Sequence, residues 1–252
     1  MLISTNTDEL SKYIEMLNNE HVLGTSYYER HDLNPLYWDY LLGPVKENPE
    51  LWENKKAFDL GTGLGRNVTN LLKLANWNRI DAVDLSKKNV DQCTSTFEEK
   101  CKFHKVSGRN LKIFKDEQFD FVISTLLFQF LAVYELRYKL MQEVYRTMKN
   151  DGVFTFQMGY GSNIHERNYP DKFFCLMRTG TLTVPVNLKV ANYYDNIYDA
   201  IGSNGEYDVR VTSPEQIISD LTKIGFKNIT YKIEKSYDDY IHTQWIYVQC
   251  SK

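Results

Sequence analysis

Short apolar runs alternate with longer amphipathic stretches through most of the chain, and this alternation predicts a parallel α/β sheet. Strands are expected at 57–60, 79–84, 102–106, 119–127 and 153–158. The run at 119–127 is apolar on both faces, as a central parallel strand should be. Between the strands, Val68, Leu71, Leu72 and Leu74 make one helical stripe, Val90, Cys93 and Phe97 a second, and 133–148 a third helix. Thr212-Ser-Pro-Glu215 carries the cap and first-turn proline of a helix start, and Gly225 ends that helix. Two last strands, 228–236 and 240–250, are joined by a connection too short for a parallel crossover, so they must pair antiparallel. Before the sheet, 8–20 and 36–42 read as helices.

The first strand runs into Asp59-Leu-Gly-Thr-Gly-Leu-Gly-Arg66, three glycines at alternate positions and then a helix. Glycine is required where the chain turns sharply or where a ligand approaches the backbone, and a helix start adds amide dipoles. The segment therefore predicts a ligand cradle, although a purely structural turn uses the same residues. A dinucleotide fingerprint needs a small residue where Arg66 stands. About twenty residues on, the second strand ends at Asp84, placed to accept both hydroxyls of a ribose.

The order Asp-Leu-Gly-Thr-Gly-Leu-Gly resembles motif I of the class I S-adenosylmethionine (SAM)-dependent methyltransferases. The text from Phe119 to Gly161, with Phe119-Asp-Phe-Val-Ile-Ser124, Phe128-Gln129 and Phe156-Gln157, is similar to the same family over a longer stretch. The resemblance implies a three-layer Rossmann-like sheet of seven strands, mostly parallel with an antiparallel last strand. It implies one domain over 1–252, with a helical cap at 1–50 and a substrate-lid insertion at 159–211. It also implies SAM as cofactor, with S-adenosylhomocysteine as product. Its binding residues would be Asp59, Gly61, Thr62, Gly63 and Arg66 at the turn, Asp84 and Leu85 at the ribose, Arg109, Asn110 and Leu111 near adenine, and Ser124 and Thr125 after the fourth strand.

Polar groups expected near the reacting methyl are Gln129 and Tyr160, with His242 as a candidate base. Relatives often carry histidine after the glutamine of this segment, and here Phe130 replaces it. Gln157, Tyr194, Asn196 and Trp245 are candidates for binding a polar acceptor, although core packing is the first use expected of Trp245. Tyr27, Tyr28 and His31 are candidates for cap or substrate contacts, or else pack the helix down.

Composition narrows the partners. With 30 Lys and Arg against 33 Asp and Glu, the net charge of −3 offers no global field for nucleic acid or anionic membrane. One basic cluster, from Lys100 to Lys115, keeps RNA in view as an alternative substrate. The four cysteines have no zinc or disulfide spacing, so no metal is expected and a reducing cytoplasm fits. A small-molecule or glycan substrate is favoured, with a sugar hydroxyl first. Amine N-methylation and a non-catalytic SAM-binding role are the alternatives, and a homo-oligomer is compatible with all of them.

Overall fold

A computed structural model of the chain describes residues 34–131, 134–160, 174–179, 182–187, 199–201, 207–211, 213–235 and 244–252. The expected helix at 8–20 and Tyr27, Tyr28, His31, Tyr194, Asn196 and His242 lie outside these residues.

Seven strands form the main sheet in the order β3-β2-β1-β4-β5-β11-β10. They are β1 (Lys56–Leu60), β2 (Arg79–Asp84), β3 (Cys101–Lys105), β4 (Phe119–Ser124), β5 (Met148–Tyr160), β10 (Lys227–Lys235) and β11 (Gln244–Ser251). Strands β1 to β5 pair parallel, while β11 runs antiparallel to both β5 and β10. Between these, β6 (Phe174–Thr179) and β7 (Leu182–Asn187) form an antiparallel pair. The short β8 (Asp199–Ile201) pairs with β9 (Tyr207–Val211), which joins the end of β5 in parallel at Gly159 and Tyr160.

Two apolar layers hold the sheet from opposite sides. One gathers Phe58, Val122, Phe154 and Phe156 under α4 (Tyr134–Thr147) and α5 (Pro214–Ile224). The other gathers Ala57, Phe121, Ile123 and Trp245 under α2 (Arg66–Leu74) and the segment Tyr37–Leu41, a π-helical turn that leads into α1 (Gly43–Glu47). Helix α3 (Lys87–Thr96) starts as its capping serine predicts, with Ser86 Oγ accepting from the Asn89 amide at 3.3 Å. Gly225 ends α5 in the left-handed conformation, φ 116°.

Strand β5 begins earlier than the apolar run suggests. Met148 already faces Phe119, and the Lys-Asn-Asp-Gly turn sits inside the strand as an irregularity, with Asp151 at φ 63°. Strand β4 stops at Ser124, three residues before its apolar run ends, because Leu126 takes a positive φ of 59°. None of the described helices is long and apolar enough to cross a membrane.

Candidate cofactor site

A cavity opens at the carboxyl ends of β1, β2 and β4, where open α/β sheets bind ligands. Its floor is the glycine turn between β1 and α2. Gly61, Gly63 and Gly65 all have positive φ, 82°, 53° and 86°. A Cβ on Gly61 would stand 3.0 Å from the Leu127 side chain, and one on Gly65 would enter the Phe97 ring at 2.5 Å.

The turn is held rigidly, but not as its sequence suggests. The amides of Gly61 and Thr62 both donate to Val83 O, at 3.0 and 2.9 Å, and the Gly63 amide donates to Asp84 Oδ2 at 2.8 Å. These three donors are engaged by β2 itself, so the turn offers shape and closeness here rather than free N–H groups.

Polar groups are ordered along the cavity. Asp84 lines it at the end of β2, with Oδ1 receiving the Ser86 amide at 2.7 Å and Asn89 Nδ2 at 3.3 Å. Burial raises its carboxyl above the usual range, and the Ser86 and Gly63 amides pull it back. A carboxylate oxygen can take two donors, so Oδ2, with Gly63 on it, has room for a ligand hydroxyl. Beyond Asp84 the wall is apolar, with Leu85, Val106, Gly108 and Leu111, and it suits a flat base. Gly108 is required there, since a Cβ would lie 2.7 Å from Leu85.

The other end is charged. Arg66 and Thr125 line the cavity, and Arg66 Nη2 donates to Thr125 Oγ1 at 2.8 Å. Asp59 is fully buried behind the wall that Leu60, Gly61 and Thr62 present. Burial pushes its carboxyl up to about 6, against the pull of the Asn67 amide, the Thr62 hydroxyl and, further, the Arg66 guanidinium. Asn67 Nδ2 donates to Asp59 Oδ1 at 2.8 Å, and the buried Thr62 hydroxyl also favours the charged form of this carboxyl. Leu126, strained at positive φ, closes this side.

The cavity brings together Gly61, Thr62, Gly63, Arg66, Asp84, Leu85, Leu111 and Thr125 from the sequence expectation. Ser124 does not join them, because its hydroxyl donates to Leu60 O at 2.9 Å within the core. Arg109 and Asn110 are also outside the lining. Asn110 Oδ1 instead accepts from the Lys112 amide at 3.2 Å, a local turn bond that competes with adenine recognition.

Of the residues expected near the reacting methyl, Gln129 is fully buried in the turn Phe128–Phe130, outside the cavity lining, and neither amide atom has a partner among the described residues. Tyr160 lies at the end of β5, and burial raises its phenol above the usual value, so it stays protonated near neutral pH. Gln157 and Trp245 are 2% and 3% exposed, and Trp245 packs in the apolar layer under α2. Sequence reasoning missed Asn67, Asn89 and Tyr37. Asn67 and Asn89 look like ordinary helix-surface amides, and only their burial sets them apart.

This strand order, with an antiparallel last strand placed between the fifth and sixth, and a cavity over a glycine turn, is the architecture of the class I SAM-dependent methyltransferases. Residues 58–156 match the family model described as a methyltransferase domain. No curated protein matches the chain. Among solved structures, an S-adenosylmethionine dependent methyltransferase from Mesorhizobium loti is similar, with a TM-score of 0.59 at 15% identity, covering 87% of this chain and 99% of that one. A SAM-dependent methyltransferase from Methanosarcina mazei gives 0.56 at 14% identity over 87% and 98%. The Burkholderia thailandensis 1,6-didemethyltoxoflavin-N1-methyltransferase, with 1,6-didemethyltoxoflavin and S-adenosylhomocysteine bound, gives 0.55 at 14% identity over 92% of each chain. At this identity the likeness speaks for the fold.

Proposed function

We propose that the protein transfers a methyl group from SAM to a small molecule or glycan, with a sugar hydroxyl as the preferred acceptor. The observation that carries the SAM assignment is the order of groups in one cavity: an apolar slot, then the Asp84 carboxylate, then Arg66 beside buried Asp59. These fit adenine, ribose and a zwitterionic amino acid in turn. The buried Asp59 carboxyl, pushed up by burial, supports the last assignment, since a buried charge calls for a countercharge.

When bound, SAM supplies a methyl group on a positive sulfur. The chain's residues hold the nucleoside at Asp84, keep water out with Leu126, Leu127 and Leu131, and orient the acceptor. In this proposal the insertion at 159–211 and the cap at 1–50 enclose the acceptor, with Tyr160, Tyr194 and Asn196 offering it hydrogen bonds. The raised pKa of Tyr160 leaves His242 as the candidate base.

Transfer of labelled methyl from SAM to a panel of sugars, polyols and amines tests this. Incorporation into hydroxyl acceptors, reduced in His242→Ala at saturating substrate, is the expected result. Label only on amines would favour N-methylation, a second reading that the Burkholderia thailandensis N1-methyltransferase keeps open. Tight S-adenosylhomocysteine binding with no transfer to any acceptor would indicate a non-catalytic role.

A further inference from the structure

We propose that Tyr37 is a positioning residue that sets the Arg66 guanidinium to receive the carboxylate of the cofactor's amino-acid end. The inference rests on the SAM reading above and deepens it.

Tyr37 comes from the segment before β1 and is 1% exposed. Its hydroxyl donates to Asn67 Oδ1 and accepts from Asn70 Nδ2, both at 3.0 Å, which fastens it to the first turns of α2. Its ring lies under the Arg66 guanidinium, whose central carbon is 4.5 Å from the ring centroid. Arg66 is thus held from below by an aromatic face and from the side by Thr125, while still lining the cavity. A guanidinium held in this way loses little freedom on binding, and its planar fork matches a carboxylate with two parallel hydrogen bonds.

The same hub reaches the opposite charge. Asn67 accepts from Tyr37 and donates to Asp59 Oδ1 at 2.8 Å. One tyrosine therefore anchors both a cation that lines the cavity and the buried anion behind it. A zwitterion needs that pair, and neither adenine nor ribose does.

A tyrosine that only packed α2 against the sheet would act on the whole turn. The two roles separate when S-adenosylhomocysteine is compared with 5′-deoxy-5′-methylthioadenosine, which keeps the nucleoside and sulfur but has no amino acid. Calorimetric titration of both ligands into the wild type, Tyr37→Phe, Tyr37→Leu and Arg66→Gln proteins is the test, with thermal unfolding to verify folding. The Phe variant keeps the aromatic face and the Leu variant removes it.

Tyr37→Leu and Arg66→Gln should each weaken S-adenosylhomocysteine by about tenfold or more, with Tyr37→Phe intermediate. Methylthioadenosine should bind all four proteins within about twofold, as expected for a ligand lacking the contact. Adding Tyr37→Leu to Arg66→Gln should cause little further loss, because the tyrosine acts through the arginine. Parallel loss of both ligands, or unchanged S-adenosylhomocysteine affinity in Tyr37→Leu, overturns the inference while leaving the cofactor assignment standing. A wild-type protein that binds neither ligand overturns both.

Discussion

Replacing Asp59 by asparagine should stabilise the ligand-free protein at neutral pH while damaging its cofactor site. Asp59 is fully buried, and its carboxyl is raised from 3.8 to about 6, chiefly by burial. An acid whose pKa is higher in the folded state gives its full stability below the unfolded value of 3.8, and loses it as pH rises through the folded value. The loss therefore accumulates between roughly pH 4 and 6 and is complete above about pH 7. The difference between 3.8 and about 6, at about 1.36 kcal/mol per pH unit, comes to about 3 kcal/mol. Asparagine keeps an oxygen for the Asn67 amide at Oδ1 and never ionises. For a chain of this size, about 3 kcal/mol corresponds to about 6–12 °C in Tm. Thermal unfolding of both proteins from pH 4.5 to 7.5 should show the asparagine variant gaining on the wild type as pH rises, while titration shows weakened S-adenosylhomocysteine binding. A stability gap that is constant across this range, or that favours the wild type more at high pH, would refute the assignment of a strained carboxylate held ready for a cation.

Four further substitutions read other parts of the site. Gly65→Ala places a methyl 2.5 Å from the Phe97 ring at φ 86°, and should destabilise the fold by about 2–4 kcal/mol in denaturant unfolding. Phe97→Leu in the same chain should restore the steric part of that loss but not the backbone part. Gln129→Met, similar in volume, removes two buried unpartnered polar atoms and should raise stability by about 1–3 kcal/mol. If the amide orients the acceptor, turnover with labelled SAM falls in the same protein, and a destabilised variant would show that the amide is already satisfied. Asp84→Asn turns an amide nitrogen toward the Gly63 or Ser86 N–H, donor against donor, so S-adenosylhomocysteine affinity should drop by about 10–100-fold in calorimetry.

The sheet was legible in the sequence because its signals are local. An apolar run such as 119–123 packs against neighbours on both faces, and the β10–β11 hairpin is enforced by a connection too short for anything else. Asp84 could be placed for the same reason, being the acidic residue on which a buried strand ends. One-residue distinctions were not legible. Ser124 and its neighbour Thr125 are both hydroxyl residues after the same run, yet consecutive side chains leave a strand on opposite faces. The first is consumed by Leu60 O and the second meets Arg66 in the cavity. Least legible was the polar hub, which joins Tyr37, Asp59, Asn67, Asn70 and Thr125 from four separate elements and has no periodicity of its own. Its members pass for a packing aromatic and helix-surface amides until the fold buries them together. That burial is also why the hub bears on function: a carboxylate whose pKa is pushed up by full burial is unfavourable in the empty protein, and a ligand bringing a cation near it recovers what the fold gave up there.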